Sequence, residues 1–194
     1  MSITIFALSL IIALVISSIT YPFVIRFARK YNIVDNPDVR KLQREPVPVL
    51  GGCTVFIGTA CSLLITAHYM DWHSLYGVII FMFILLVIGL LDDIYNLSAT
   101  LRFCLEIILV WGYIVISQSS IESFQGLWNI DIVSPYIGIP LSILAGVGII
   151  NSINLIDGVD GYSSGYCISA CIYFCILFIS IQQYAFAVFT LICI

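Results

Sequence analysis

Charge is what this sequence has least of. Of 194 residues, 7 are Lys or Arg, 11 are Asp or Glu and 2 are His. Charged residues are 9% of the chain, where soluble domains carry about 25%. No stretch is basic enough to meet a phosphate backbone, which excludes nucleic-acid binding. A disulfide framework is also missing. The seven cysteines (Cys53, Cys61, Cys104, Cys167, Cys171, Cys175 and Cys193) are odd in number and all lie in apolar runs. Cys167, Cys171 and Cys175 recur every four residues on one helix face, where small apolar packing is the simpler reading than a metal or redox site. Internal repeats and low-complexity tracts are absent. Apolar residues fill the space that charge leaves: 61% of the chain is hydrophobic and its mean hydropathy is +1.13. Soluble domains reach about 45–50% apolar, so no aqueous core could hide this surface and the solvent must be lipid.

A spanning helix needs about 20 mostly apolar residues. The runs predict spans over residues 3–23, 51–68, 74–91, 99–117, 135–153 and 162–181. A seventh run begins after Gln182-Gln183, and the chain stops at Ile194. That last run is too short to span at about 1.5 Å per residue. The fold class expected is an all-α, polytopic integral membrane helical bundle, with six full spans and a truncated seventh. It forms a single transmembrane domain over 1–194 that reads as C-terminally incomplete. The first span has no basic segment before it and no small-residue cleavage site after it, so it reads as an uncleaved anchor. Residues 28–49, with prolines at 37, 46 and 48, read as a polar loop. Ser98 is placed to cap the fourth span.

Orientation follows from the few cations. With residues 28–49 in the cytoplasm, alternation puts 92–98 and 151–161 there too. Arg26, Arg29, Lys30, Arg40, Lys41, Arg44 and Arg102 are then all on or beside the cytoplasmic side, as the positive-inside rule requires. The N-terminus falls outside.

Two polar elements interrupt the apolar runs on that side. The first is Leu91-Asp92-Asp93-Ile-Tyr-Asn96-Leu97. Adjacent carboxylates repel unless a cation sits beside them, and Mg²⁺ uses one or two carboxylates with waters and substrate phosphates. A polar cap on an apolar helix is the plainer alternative. The second is Asn151-Ser-Ile-Asn154-Leu-Ile-Asp157-Gly158-Val-Asp160-Gly161. Spacings of three put Asn151, Asn154, Asp157 and Asp160 on one broad helical face. Amides suit a base or sugar, and carboxylates suit metal, ribose hydroxyls or ring N–H groups. Arg40, Lys41 and Arg44 suit phosphate oxygens or, equally, anionic lipid headgroups. Gly51-Gly52 opens the next helix with free backbone N–H groups, a natural anion site. Glu106 lies inside the fourth span, where an ionisable group is a functional candidate by default. Arg102, four residues earlier, is its expected partner in a structural pair.

Together these residues resemble the polyprenyl-phosphate N-acetylhexosamine-1-phosphate transferases, especially the undecaprenyl-phosphate GlcNAc-1-phosphate transferases. The resemblance rests on Asp35-Asn-Pro37-Asp-Val-Arg40-Lys41 with Pro46-Val-Pro48-Val-Leu-Gly51-Gly52, and on the two polar elements above, in that order. It implies transfer of sugar-1-phosphate, GlcNAc type, from a UDP-N-acetylhexosamine to a polyprenyl phosphate lipid, with release of UMP. Such a reaction initiates lipid-linked synthesis of cell-wall or surface polysaccharide at the cytoplasmic face of a bacterial inner membrane. It implies Mg²⁺, replaceable by Mn²⁺, on Asp92 and Asp157. Asp92 and Asp93 would be catalytic. Asn151, Asn154, Asp157, Asp160, Arg40, Lys41 and Arg44 would bind substrate.

The sequence departs from the family in two places. Gln43 stands where a histidine is frequent. The later Phe-x-Gly-Asp-x-Gly-Ser segment and histidine-rich loop are missing, and 162–194 contains no Asp, Glu, His, Lys or Arg to replace them. The chain alone is therefore expected to leave the metal site unfinished and to be inactive. A transporter component and a non-catalytic membrane scaffold are the competing readings. A transporter would place its ionisable groups near the bilayer midplane, whereas here nearly all acids sit at helix ends. The sequence leaves the oligomeric state open, a homodimer among the options.

Overall fold

The computed structural model describes residues 3–35, 46–69, 75–129, 131–156 and 161–194. Helix α1 runs over Ile3–Lys30, seven residues past the expected end at 23. Its basic residues explain the extension. Arg29 and Lys30 occupy the last turn, where the helix dipole favours cations and long side chains reach out of the apolar layer. Pro22 lies inside α1. Nearby, the Thr20 hydroxyl donates to the carbonyls of Ile16 at 2.8 Å and Ser17 at 3.2 Å. Such back-bonding keeps polar groups satisfied within the helix, as lipid demands.

Residues 28–49 are not simply a loop. Strands β1 (Val34–Asp35) and β2 (Val47–Pro48) pair antiparallel, with Val34 opposite Pro48 and Asp35 opposite Val47. This short ladder ties together the two ends of the segment that carries Arg40, Lys41 and Arg44. Those three residues lie outside the described part.

The remaining helices are α2 (Gly51–Thr66), α3 (Tyr76–Tyr95), α4 (Ala99–Ser117), α5 (Pro135–Ile156), α6 (Tyr162–Ser180) and α7 (Tyr184–Ile192). Among the described residues, α1, α3, α4, α5 and α6 are long and apolar enough to cross a membrane. Helix α2 has 16 residues and reaches only about 24 Å against a core near 30 Å. A 3₁₀ turn at Ala67–Tyr69 lengthens it. The bundle is all-α and polytopic, with five long helices and a shorter α2 in place of six equal spans.

The solvent is written on its surface. Tyr136 is 92%, Leu155 83% and Ile116 81% exposed, while Ser9, Thr59, Ser62, Thr66 and Glu106 are buried. That distribution inverts the pattern of a water-soluble protein and suits helices bathed in lipid. Where α1 and α2 meet, small residues let the backbones approach. Ser62 Oγ donates to the Ser9 carbonyl at 2.7 Å and Ser17 Oγ to the Thr54 carbonyl at 3.3 Å. Between these two bonds sits Gly58, where an added Cβ would meet Ser17 Oγ and lie 2.9 Å from the Ala13 carbonyl. Helix α7 closes this cluster with Val188 and Ile192 against Ala13 and Leu63. A second cluster joins α3, α4 and α5 through Phe81, Val110, Ile114 and Val147.

Pairings between neighbours fix which helix ends lie together. Ser9 with Ser62 and Ser17 with Thr54 make α1 and α2 antiparallel. Phe56 meets Phe83 with ring centroids 5.5 Å apart and tilted by 42°, and a Cβ added at Gly52 would lie 3.4 Å from Leu86 Cδ1, so α3 runs antiparallel to α2. The carboxyl ends of α1, α3 and α5 and the amino ends of α2 and α4 therefore share one end of the bundle.

Candidate active site at one end of the bundle

At that shared end, the polar residues extend the helices instead of ending them. Helix α3 includes Asp92 and Asp93 in its last turn and stops at Asn96. Asn96 adopts a left-handed conformation, with φ of 50°, and its N–H donates to the Asp92 carbonyl at 2.8 Å. Asparagine tolerates this conformation and commonly closes helices in this way. Two residues on, Ser98 caps α4, its hydroxyl accepting from the Leu101 N–H at 3.3 Å. The tight turn between α3 and α4 thus faces Asp92 towards the first turns of α4.

Arg102 projects from α4 into that space. Its Nη1 donates to Asp92 Oδ2 at 2.8 Å. One helical turn deeper lies Glu106, 3% exposed, with Oε1 3.8 Å from Arg102 Nε. Arg102 was expected to pair with Glu106; its closest partner is Asp92 on the neighbouring helix. The reason is reach. A guanidinium near the end of α4 meets a carboxylate at the same depth on α3 with better geometry than one along its own helix axis.

Glu106 has a second partner on a third helix. Its Oε2 accepts a hydrogen bond from Asn151 Nδ2 of α5. The same Nδ2 donates to the Val147 carbonyl one turn back, at 2.9 Å. Two acceptors identify this end of the amide as the NH₂ group and hold its orientation. A continuous polar line therefore runs Asp92, Arg102, Glu106, Asn151 across α3, α4 and α5. Two carboxylates against one guanidinium leave the line net negative, so its open end is suited to a cation. The Glu106–Asn151 bond was not foreseen. Its signal was present: each is a polar residue set within an apolar helix, about two turns from the same end of the bundle.

The other site residues are placed as follows. Asp93 is exposed at the end of α3, and Asn154 is exposed on the last turn of α5. Asn151 is half-buried. Asp157, Asp160, Arg40, Lys41 and Arg44 lie outside the described residues. Among the described residues no three His, Cys, Asp or Glu side chains converge as a metal cage. Asp92, whose side chain is 22% exposed, binds Arg102 through one oxygen. A solvent-reached carboxylate of that kind fits Mg²⁺, which takes one or two carboxylates and completes its shell with water and phosphate.

Two apolar concavities flank the line, each of about 400 Å³. One opens between α3 and α4 and is lined by residues such as Ile80, Ile84, Ile88, Leu105 and Leu109. The other lies between α5 and α6, where Ser152, Tyr162 and Tyr166 add polar groups beside Ile149 and Ile153.

Comparison with known proteins accords with this arrangement. The model of glycosyl transferase family 4 matches residues 75–194, from the approach to α3 through α7. The chain is similar to a probable undecaprenyl-phosphate N-acetylglucosaminyl 1-phosphate transferase of Bacillus subtilis (strain 168), 33% identical over 164 residues. That alignment covers 82% of this chain and 43% of the relative. An undecaprenyl-phosphate alpha-N-acetylglucosaminyl 1-phosphate transferase of Escherichia coli (strain K12) is 31% identical over 157 residues, 76% of this chain and 40% of the relative. A Pasteurella multocida (strain Pm70) protein of the same name is 35% identical over 102 residues, 53% of this chain and 28% of the relative. The chain thus spans about two fifths of the length of the first two curated relatives. No solved structure matches it significantly. On its motifs, its bundle and a match over most of its length, the chain belongs to glycosyl transferase family 4, with the polyprenyl-phosphate N-acetylhexosamine-1-phosphate transferases.

Proposed function

We propose that the chain carries the acidic-turn portion of a site that transfers N-acetylhexosamine-1-phosphate, GlcNAc type, from a UDP-sugar to polyprenyl phosphate. In this reaction an oxygen of the lipid phosphate attacks the phosphorus nearer the sugar. The bond from that phosphorus to the bridging oxygen breaks, and UMP leaves. The observation that carries the reading is the polar line from Asp92 to Asn151. It joins the two elements that hold nearly all the polar chemistry of α3–α6, and it does so at one end of an otherwise apolar bundle. The names of the similar proteins from Bacillus subtilis and Escherichia coli support the substrate class.

Within this reading, Asp92 and Asp157 hold Mg²⁺, for which Mn²⁺ can substitute. When bound, the metal supplies positive charge against the diphosphate as charge builds on the leaving group. Asp93, exposed at the membrane surface, takes a proton from the lipid phosphate or orients it. Asn154, Asp157 and Asp160 line the nucleotide-sugar pocket, with Asn151 at its base. Arg40, Lys41 and Arg44 meet phosphate oxygens from the segment tied down by β1 and β2. The described cations, Arg26, Arg29, Lys30 and Arg102, lie at one end by the alternation of the helices, which supports a cytoplasmic active face in a bacterial inner membrane.

A chimaera tests this reading. The chain replaces the corresponding segment of the Bacillus subtilis relative, and Mg²⁺-dependent UMP release from UDP-GlcNAc with undecaprenyl phosphate is assayed in lipid. Release that is abolished by Asp92→Asn and by Asp157→Asn, with normal membrane insertion, is expected. Undiminished release in both variants would remove these residues from the site.

A further inference from the structure

We propose that Glu106 is a positioning residue: it draws the Arg102 guanidinium away from Asp92, and Asn151 governs how strongly it does so. The inference rests on Asp92 being the metal-holding carboxylate of the reading above, but its geometry is independent of any ligand.

Arg102 stands between two carboxylates and serves them unequally. Nη1 is bonded to Asp92 Oδ2 at 2.8 Å. Nε is buried and makes no hydrogen bond, although Glu106 Oε1 lies 3.8 Å away. A buried N–H without an acceptor is unusual, and ordinary N–H···O bonds lie near 2.9 Å. Moving the guanidinium by about 1 Å towards Glu106 would complete that bond. The group is planar and rigid, so Nη1 would move with it and loosen its hold on Asp92. The structure shows the cation in the position that favours Asp92, and a shift of about 1 Å gives a second position that favours Glu106.

Asn151 acts on the other side of Glu106. Its amide neutralises part of the charge on Oε2 and holds that oxygen towards α5. The amide is itself held by the Val147 carbonyl, so it cannot follow Glu106 towards Arg102. Asn151 also begins the Asn/Asp/Gly element, with Asn154 one turn on. Any ligand that shifts the end of α5 is then felt at Asp92 through Glu106 and Arg102. Glu106 is 3% exposed and is out of reach of a substrate at the membrane surface, so it acts only through its neighbours.

The signs of this coupling distinguish it from a passive helix tie. The 194-residue chain is reconstituted in lipid nanodiscs, and labelling of Asp92 by a water-soluble carbodiimide with an amine is followed by peptide mass spectrometry. Glu106→Gln leaves Arg102 with Asp92 as its one anionic partner among the described residues, so labelling slows by about threefold or more as the two positions redistribute. Asn151→Leu frees Glu106 to pull on Arg102, so labelling speeds up by a similar factor. The double variant behaves as Glu106→Gln alone, because Asn151 acts through Glu106. Glu106→Asp, which keeps the charge, returns the rate towards that of the unaltered chain.

A helix tie without positioning gives faster labelling in every variant, since each loosens the bundle, and that result overturns the proposal. If Glu106→Gln does not fold, Asn151→Leu still decides: an unchanged or slower rate overturns it. In a separate arm Mg²⁺ with UDP-GlcNAc is added to the Bacillus subtilis chimaera, which supplies the rest of the site, and to the same variants made in it. Failure of that mixture to protect Asp92, with the order of the variants intact, sinks the nucleotide-sugar reading and leaves the role of Glu106 standing.

Discussion

The α1–α2 seam and the α3–α4–α5 seam solve the same problem with opposite chemistry. Both must hold apolar helices together in lipid, where apolar surface gives no advantage to helix contact over lipid contact. The first seam is neutral. Ser9, Ser17, Thr54 and Ser62 join the helices by hydroxyl–carbonyl bonds around Gly58, and these contacts need no charge. The second also packs closely, with an added Cβ at Gly146 lying 3.0 Å from Val110 Cγ1. Yet it buries a glutamate and runs a charged line to the helix ends. A neutral seam is the cheaper way to join helices, as the first one demonstrates in the same molecule. The charged seam therefore asks for a reason beyond cohesion, and the reason offered here is the placement of Asp92.

Substitutions in the charged seam should have the larger effects. Asp92→Asn in the Bacillus subtilis chimaera should lower Mg²⁺-dependent UMP release by about a hundredfold or more, the scale on which lost transition-state electrostatics are felt. Its helical content should be unchanged by circular dichroism. A rate near that of the parent chimaera would make the charged seam merely structural. Arg102→Met leaves Asp92 and the buried Glu106 without their cation; because Arg102 and Asp92 are themselves about a quarter exposed, it should cost about 1–3 kcal/mol, less than the loss of one partner of a fully buried pair. Denaturant unfolding in mixed micelles reads that loss, and a change below about 1 kcal/mol would show that the pair is exposed to water and weak.

Smaller effects belong to the neutral seam. Gly58→Val forces α1 and α2 apart against the Ala13 carbonyl, with an expected cost of about 1–3 kcal/mol from overpacking. Carbodiimide labelling of Asp92 should stay at its original rate in this variant. Altered labelling there would mean that the two seams are one coupled unit. Ser62→Ala removes one hydroxyl bond to the Ser9 carbonyl and should cost about 0.6 kcal/mol, the mean for polar contacts between membrane helices. A loss several times larger in the same unfolding assay would place the neutral seam on an equal energetic footing with the charged one.

Much of the fold was legible because apolar run length is a direct measure of what lipid permits. The fourth span was read at its observed bounds, 99–117, since Ser98 marks its start by capping chemistry. Helices α1, α3 and α5 each ran past their expected carboxyl ends. In each case polar residues were taken as the end of a helix when they are its last turns. Polarity marks where a helix leaves lipid, and backbone hydrogen bonds decide where it stops. The Asn96 conformation that ends α3 has no counterpart in hydropathy. The β1–β2 ladder was likewise hidden, because two-residue strands carry no period to detect.

Candidate site residues were legible by scarcity. In a chain with so few charges, Asp92, Asp93, Asn151 and Asn154 stand out against their surroundings. Their partners did not. Sequence spacing offers Arg102 an acid four residues away along its own helix, and that local choice came second to Asp92 across the turn.

The order of residues already implies lipid as the solvent, alternating helices, and one end of the bundle that carries Arg26, Arg29, Lys30 and Arg102 with Asp92 and Asp93. Those features depend on composition and on run length, which are properties of the chain in one dimension. The pairing of Arg102 with Asp92 and of Glu106 with Asn151 came from the packing of α3, α4 and α5. A hydrogen bond depends on depth, rotation and distance between helices, and those are set by how Gly146 and Val110 let α4 and α5 approach.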